Sequence, residues 1–316
     1  MKAAIINQYG SRDELSVVSD YPMPELTADD VMVEIHATSI NPIDYKAREG
    51  LLQGMYQWTF PVVLGWDVAG VITAIGDNVS GFNVGDRVFA RPEIDPSGRF
   101  GSYAEYMAIN ANQLAKIPDS LSFEQAAAIP LAGETALQML RLLDVKAGSK
   151  VLIQAGAGGV GTFAIQLAKQ QGAFVATTVS DTNISLVKSL GADVVIDYHQ
   201  EAIQDVLHDY DAVLDSVGDI DNGLAVLKDG GHLVTISAQL TPEQLATANK
   251  KVTSGWLQPT GADLQILADA VTNHDMQVVL DNTYPLTTEG IRAAHERIES
   301  HHARGKIIIQ VKESDQ

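Results

Sequence analysis

Three glycines, Gly156, Gly158 and Gly161, have the spacing of a phosphate-binding loop and lie between an apolar run and a helical pattern. The run 151–153 predicts a strand, and from position 160 the apolar residues recur on one helix face. The first glycine permits a tight turn, the second lets the backbone approach a pyrophosphate, and the third lets helix and strand pack closely. Unpaired N–H groups and the dipole at the start of the helix favour a bound diphosphate. This segment therefore predicts a dinucleotide-binding loop.

The end of the next predicted strand, 174–180, indicates which dinucleotide binds. In NAD enzymes an Asp or Glu at this place accepts hydrogen bonds from the ribose hydroxyls and would repel a 2′-phosphate. Here the residue is Ser180, and Thr182 and Asn183 offer further donors, which favours NADP(H) over NAD(H). Asp181 adds a negative charge and the turn holds no Lys or Arg, so an alternative is that Ser180 only caps the following helix.

The chain of 316 residues is long enough for two domains. Strand and helix patterns alternate from about residue 122 to 260, which is typical of a doubly wound parallel sheet. Residues 1–120 carry short β-like runs separated by Gly, Pro and Asp turns, and they predict a mostly antiparallel β domain. A helix and an apolar strand follow over 288–311, and this strand could complete either sheet.

The composition limits the partners and the compartment. Forty acidic against 21 basic residues give a net charge of −19, which argues against nucleic acid and anionic membranes as partners. No apolar stretch of 18 residues occurs and the N-terminus is typical of a strand rather than a signal peptide, so a cytoplasmic protein is expected. The absence of cysteine fits that compartment and excludes disulfides, thiolate catalysis and cysteine-ligated metal.

Besides the glycine loop, six short motifs are spread over nearly the whole chain: 41–46 (NPIDYK), 60–70 (FPVVLGWDVAG), 84–88 (VGDRV), 129–136 (IPLAGETA), 214–218 (LDSVG) and 305–308 (GKII). In this order they resemble the zinc-independent medium-chain dehydrogenase/reductases, specifically the quinone oxidoreductase (zeta-crystallin-like) branch. The first segment is also similar to enone and alkenal reductases.

The resemblance implies an α/β fold with two domains. A Rossmann dinucleotide-binding domain would span 122–281, and a GroES-like, mostly antiparallel catalytic domain would combine 1–121 with 282–316. Homodimers formed through the edge strand near 251–255 are typical of the relatives.

The resemblance also implies an enzyme without zinc. Zinc alcohol dehydrogenases of this fold hold the metal with a cysteine near position 41 and a Gly-His-Glu at 65–67, where this chain has Asn41 and Gly65-Trp66-Asp67. A catalytic zinc needs three protein ligands and an open fourth position, and neither asparagine nor tryptophan suits that role. His36 is interpreted as a packed or surface residue, and His295 with its neighbours His301 and His302 as part of a solvated helix face.

Hydride transfer to a quinone or an enone leaves negative charge on the acceptor oxygen, which positioned hydrogen-bond donors stabilise. We therefore predict that Asn41 orients the substrate, that Lys46 is an oxyanion partner or proton donor, and that Asp44 orients Lys46 or the nearby backbone. The alternatives are an ordinary Asn-Pro turn and an exposed Asp44–Lys46 pair of little consequence.

The resemblance assigns cofactor contacts residue by residue. Gly159 and Val160 would contact the diphosphate through their backbone, Thr135 would lie near the nicotinamide ribose, and Ser180 with Asn183 would face the 2′-phosphate. The remaining predicted contacts are Tyr198 on the adenosine side, Ser216, Ser237 and Ala238 at strand ends, Leu257 beside the nicotinamide, and Lys306 in the terminal strand.

The sequence thus predicts an NADPH-dependent oxidoreductase that reduces a small quinone or an α,β-unsaturated carbonyl. Two alternatives stay open: a non-catalytic NADP(H)-binding sensor or structural protein, and a zinc-free alcohol dehydrogenase. Aromatic residues at 56, 58, 60 and 66 would suit the wall of a pocket for a flat acceptor, but they are also typical of a small β core.

Overall fold

A computed structural model describes residues 1–93 and 96–312. The strands are β1 (Ala3–Ile6), β2 (Ser16–Val18), β3 (Asp30–Ile40), β4 (Val62–Val63), β5 (Val68–Ile75), β6 (Arg87–Ala90), β7 (Tyr106–Asn110), β8 (Leu114–Lys116), β9 (Lys150–Ile153), β10 (Phe174–Val179), β11 (Val194–Asp197), β12 (Tyr210–Asp215), β13 (Leu227–Thr235), β14 (Lys251–Ser254), β15 (Leu280–Pro285) and β16 (Lys306–Gln310). The helices are α1 (Pro42–Arg48), α2 (Phe123–Ala127), α3 (Pro130–Leu142), α4 (Gly159–Gln170), α5 (Ile184–Ser189), α6 (Ile203–Val206), α7 (Ile220–Val226), α8 (Pro242–Leu245), α9 (Gly261–Asn273) and α10 (Thr288–Glu299).

The chain divides into two compact units. Unit 1 comprises Met1–Leu131 and Pro259–Gln316, and unit 2 comprises Ala132–Gln258. Helix α9 therefore lies in unit 1. The predicted domain boundaries, 121/122 and 281/282, stay a prediction.

Unit 1 is built on two β-sheets. The larger has the order β15-β16-β3-β5-β6-β8, with β7 also paired to β3, and the smaller has the order β2-β1-β4. Pairing is antiparallel except between β15 and β16, which helix α10 connects. The terminal strand β16 therefore completes the first sheet, through antiparallel pairing of Ile307 with Ile40.

Unit 2 is a six-stranded, wholly parallel sheet with the order β11-β10-β9-β12-β13-β14. This is the 3-2-1-4-5-6 order of a doubly wound dinucleotide-binding sheet. Its central strand β9 is completely buried at Val151, Leu152 and Ile153, as a parallel strand covered on both faces must be. The carboxyl ends of β9, β10, β12 and β13 lie at one edge of the sheet, and most of the predicted cofactor contacts follow these strand ends.

The predicted fold class is confirmed: a doubly wound parallel sheet accompanies a mostly antiparallel β unit. The strand predicted over 151–153 begins one residue after the start of β9, and the strand predicted over 174–180 ends one residue after β10. Over residues 1–93 and 96–312, every helix is too short or too polar to span a lipid bilayer.

Candidate active site

The carboxylate of Asp67 organises the polar centre of unit 1. It is completely buried, and its Oδ2 atom accepts hydrogen bonds from Ser39 Oγ and from Asn41 Nδ2 at 2.7 Å. Its Oδ1 atom accepts from the backbone N–H of Leu131 at 2.7 Å. Because a buried charge is costly without partners, these donors are needed to stabilise the Asp67 carboxylate.

Lys306 supplies the counter-charge from β16. Its side chain is 3% exposed, and Nζ lies 3.2 Å from Asp67 Oδ2. Nζ also donates to the backbone oxygen of Ile40 at 3.1 Å and to Asn41 Oδ1. An ammonium has three N–H donors, so these three acceptors account for all of them. Asn41 is thus held from both ends of its amide.

Helix α1 begins directly after Asn41, and Pro42 suits its first position. Asp44 is completely buried and accepts a 2.5 Å hydrogen bond from the backbone N–H of Asn41, so it binds the neighbouring backbone, one of the two predicted roles. Lys46 is half-buried and forms no ion pair with Asp44 or with any other carboxylate in the described residues. The exposed Asp44–Lys46 pair considered as an alternative is therefore not formed.

Behind α1 lies a buried polar cluster that includes His295. Arg48 Nη1 lies 3.0 Å from His295 Nδ1 and 2.6 Å from Glu299 Oε1. His295 is completely buried, and burial together with the nearby Arg48 charge lowers its pKa to about 3, so the imidazole is neutral. The prediction of a solvated face for His295 was wrong, because position 295 lies four residues after the buried Ile291 on the inner face of α10.

Burial also raises the pKa of Asp44 to about 8, and the hydrogen bond from the Asn41 backbone opposes this shift only partly. The buried Tyr103 phenol beside it has a pKa raised well above its ordinary value, by burial and then by the Asp44 charge. This cluster supports the start of α1, which carries Asn41.

The aromatic residues of the 56–66 region form a packed group. The rings of Tyr56 and Trp58 stack with centroids 5.4 Å apart, and those of Trp58 and Trp66 lie 6.4 Å apart. Trp66 is 1% exposed and belongs to the core of unit 1, whereas Trp58 and Phe60 pack against that core. The interpretation as core residues fits this arrangement.

In unit 2, the glycine loop forms the predicted turn between β9 and α4. A Cβ atom at Gly156 or Gly161 would overlap Thr177 Oγ1 or Ala155 O, so the packing of the unit itself requires both glycines. A Cβ at Gly158 would meet only Ala155 O, at 3.3 Å. Of the three loop glycines, Gly158 is thus the one at which a Cβ would meet the least severe overlap with the protein.

The Ser180 turn follows β10 as predicted. Ser180 Oγ lies 3.1 Å from Thr182 Oγ1 and accepts from Asn183 Nδ2 at 3.1 Å. The carboxylate of Asp181 accepts from the backbone N–H of Thr182 at 2.7 Å. The exposed Tyr198 lies alongside, because its N–H donates to Val179 O at 3.3 Å. Ser180 precedes a 3-10 turn, Asp181–Asn183, without a side-chain capping bond, so the capping alternative is not what this hydroxyl does.

Asp215 organises the same edge at the end of β12. Its Oδ1 atom accepts from the backbone N–H groups of Val217, Gly218 and Asp219 at 3.0, 2.8 and 3.2 Å, and its Oδ2 atom accepts from Thr235 Oγ1 at 2.5 Å. This carboxylate thereby shapes the turns that carry three of the predicted cofactor contacts, which are Ser216, Ser237 and Ala238. Ser237 Oγ is buried and bonds to no described residue.

The remaining predicted contacts have less distinctive surroundings. Thr135 is 7% exposed within α3, and Leu257 is 8% exposed after β14. Gly159 and Val160 form the first turn of α4 and are half-buried. Among residues 1–93 and 96–312, no three His, Asp or Glu side chains converge as a metal site requires.

Sequence reasoning missed the roles of Asp67, Asp215 and Ser39. Both aspartates lie in segments that carry the family resemblance, 60–70 and 214–218, and each directly follows or ends an apolar run. An acidic residue next to an apolar run is expected to be buried, and a buried carboxylate needs several hydrogen-bond donors. This position in the sequence could have identified both aspartates.

Comparisons with known proteins agree with this architecture. Residues 27–119 match the family model of the alcohol dehydrogenase GroES-like domain, and residues 190–309 match the model of the zinc-binding dehydrogenases.

Whole-chain relatives extend the match. The chain is 37% identical to the NADPH-dependent alkenal/one oxidoreductase of Arabidopsis thaliana over 98% of its length and 79% of the relative. It is 36% identical to the 2-methylene-furan-3-one reductase of Solanum lycopersicum, again over 98% of its length and 79% of the relative. The solved quinone oxidoreductase of Coxiella burnetii shares 35% identity with a TM-score of 0.88, covering 99% of both chains.

The chain therefore belongs to the medium-chain dehydrogenase/reductase family, in the group of quinone oxidoreductases and alkenal/enone reductases. It is an oxidoreductase, as the sequence predicts.

Replacing Gly158 by alanine should weaken binding of the dinucleotide about tenfold or more, because the new methyl group would occupy the space of the diphosphate. The melting temperature should change by no more than about 4 °C. Fluorescence titration with the reduced dinucleotide and a thermal melt check the two results. Gly161→Ala is the control and should destabilise the fold itself, since its Cβ would overlap Ala155 O. Unchanged affinity in Gly158→Ala would contradict the placement of the diphosphate.

Replacing Asp44 by asparagine should remove a pH dependence of stability. In the unfolded chain this carboxyl ionises near its ordinary pKa of 3.8, whereas in the folded protein it keeps its proton up to about pH 8. Its contribution is thus fully present below pH 3.8 and is lost as the pH rises towards 8.

The free energy of unfolding of the parent, minus that of Asp44→Asn, should therefore fall between pH 4 and 8, by at most about 1.4 kcal/mol per pH unit. Urea unfolding across this range measures the difference. The exposed Asp229→Asn serves as control and should show no such trend. A difference that does not vary with pH would contradict a protonated Asp44.

Proposed function

We propose that this chain is an NADPH-dependent reductase of quinones and α,β-unsaturated carbonyls that works without zinc. The observation that carries the proposal is the fixed amide of Asn41. Its oxygen accepts from Lys306 and one of its N–H groups donates to Asp67, which leaves a single N–H for a ligand. A preorganised donor of this kind stabilises the negative charge that develops on an acceptor oxygen. The names of the relatives, an alkenal/one oxidoreductase and a quinone oxidoreductase, support the same substrates.

The residues of unit 2 fit a bound NADP(H). Gly158 directly precedes the twelve-residue helix α4, whose N-terminal N–H groups suit a diphosphate. Ser237 Oγ is a buried hydroxyl without a protein partner. Ser180 replaces the carboxylate that would exclude a 2′-phosphate, and Asp181 is already engaged by its own turn. Thr135, Gly159, Val160, Asn183 and Tyr198 would complete the cofactor contacts, together with Ser216, Ala238 and Leu257.

When bound, the reduced nicotinamide supplies a hydride. For an enone, hydride addition at the β-carbon shifts the alkene electron pair towards the carbonyl oxygen, and Asn41 holds the resulting enolate through its remaining N–H. A proton at the α-carbon then completes the reduction. Lys46, which is half-buried and forms no ion pair with a described carboxylate, is proposed as the donor of that proton or as a second partner of the oxygen. For a quinone, the same donors would stabilise the phenolate oxygen.

Polarisation of the acceptor would come from hydrogen bonds rather than from a metal. Positions 41 and 66, where zinc enzymes of this fold carry ligands, hold an amide and an indole. Asn41 and the neighbouring Asp67 both accept hydrogen bonds from the Lys306 ammonium. We infer that this ammonium supplies the positive charge that zinc supplies at the same place in those enzymes. The cytoplasmic location and the homodimer expected from the sequence stay predictions, and one relative is named as chloroplastic.

The wild-type protein should oxidise NADPH in the presence of an enone or a quinone, and NADPH absorbance measures this directly. A simple secondary ketone should be a poor acceptor, because it lacks the conjugated carbon that receives the hydride. Asn41→Ala should lower kcat about 10²- to 10³-fold, as loss of one oxyanion donor does. Lys46→Ala tests the proposed proton donor in parallel. Cofactor binding without turnover of any acceptor would refute the proposed function.

Ser180→Asp should reverse the cofactor preference, because a carboxylate repels the 2′-phosphate and accepts from ribose hydroxyls. The ratio of kcat/KM for NADPH to that for NADH should fall about tenfold or more. Ser180→Ala is the matched control, since it removes the hydroxyl without adding charge. An unchanged ratio in Ser180→Asp would place recognition of the 2′-phosphate elsewhere.

A further inference from the structure

The ammonium of Lys306 bonds to three acceptors within the protein. It is 3% exposed and donates to Ile40 O, Asn41 Oδ1 and Asp67 Oδ2, which uses its three N–H groups. A cofactor or substrate atom would therefore have to displace one of these acceptors before it could bond to the lysine. The positive charge is instead available through the amide of Asn41.

The lysine and the carboxylate together define which way the Asn41 amide points. Its oxygen faces the ammonium, and its nitrogen donates to Asp67 Oδ2 at 2.7 Å. In the flipped orientation the NH₂ group would face the ammonium and the oxygen would face the carboxylate, which loses both hydrogen bonds. The ion pair thus lets Asn41 offer a donor, and never an acceptor, to the reaction.

The same contact also changes the strength of that donor. A hydrogen bond from a cation to the amide oxygen draws electron density from the nitrogen, and this polarisation is stronger where water is excluded than in water. The remaining N–H of Asn41 then becomes a stronger donor as charge develops on the acceptor oxygen.

We propose that Lys306 is a positioning residue for the reduction, which orients and polarises Asn41 through the buried Lys306–Asp67 ion pair. This inference rests on the proposed function, because it gives Lys306 its effect on catalysis only through the donor role of Asn41. It differs from the role predicted from the sequence, a direct contact with the cofactor.

A double-mutant cycle between Lys306 and Asn41 tests the proposal. In the wild-type background, Lys306→Met should lower kcat for an enone about 10- to 100-fold, while the Kd for NADPH changes less than about twofold. In the Asn41→Ala background, the same substitution should change kcat less than about threefold, because the group through which it acts is gone. Lys306→Arg retains the cation and should recover part of the loss. Lys312→Met, an exposed lysine paired with Glu34, controls for loss of a lysine.

Several outcomes would overturn the inference. Equal losses of kcat in the two backgrounds would show that Lys306 acts independently of Asn41. A raised Kd for NADPH with kcat retained at saturation would show a cofactor contact instead. If thermal melts show that Lys306→Met does not fold, Lys306→Arg is carried through the same cycle, and its smaller loss must likewise vanish with Asn41→Ala. Failure of the wild-type protein to reduce any acceptor would refute the proposed function, whereas wild-type turnover with an additive cycle would refute only the role of Lys306.

Discussion

Burial of the Asp67 carboxylate is the constraint on which the polar centre of unit 1 depends. A charge at 0% exposure requires donors, and it receives them from Ser39 and Asn41, from Lys306 and from the backbone of Leu131. These groups come from distant parts of the chain, so their convergence fixes the end of β3, the start of α1 and the start of β16 relative to one another. Removing one member of a buried ion pair typically costs about 3–5 kcal/mol, because the other charge is left uncompensated. The arrangement that orients Asn41 therefore also stabilises unit 1.

A similar device shapes unit 2. Asp215 is completely buried, and it holds three successive backbone N–H groups and the hydroxyl of Thr235. These bonds define the turn after β12 beside the turn after β13, which carries Ser237. In both units, a buried carboxylate bonds to residues that follow the end of a strand, and these segments carry groups proposed to act on ligands.

Features of the fold that depend on residue spacing within short stretches could be predicted from the sequence. The glycine loop, the parallel sheet and the β-rich first unit follow from patterns within short stretches, and the observed bounds agree closely. Long-range partners were not predictable in this way: Lys306 lies 239 residues from Asp67, and only the antiparallel pairing of β16 with β3 brings them together. His295 was misjudged because its residue type suggested a surface, whereas its position on α10 places it inside. The roles of Asn41 and Asp44 at the site stay predictions, and the direction of each hydrogen bond that they form required coordinates.

The most direct test of the account is a crystal structure of the protein with NADP⁺ and an unreactive enone analogue. We expect Asn41 Nδ2 to lie within hydrogen-bond distance of the carbonyl oxygen, while the Lys306 ammonium still contacts Asn41 and Asp67 and touches neither ligand. A carbonyl oxygen bound by other groups, or a Lys306 ammonium bonded to the cofactor, would contradict it.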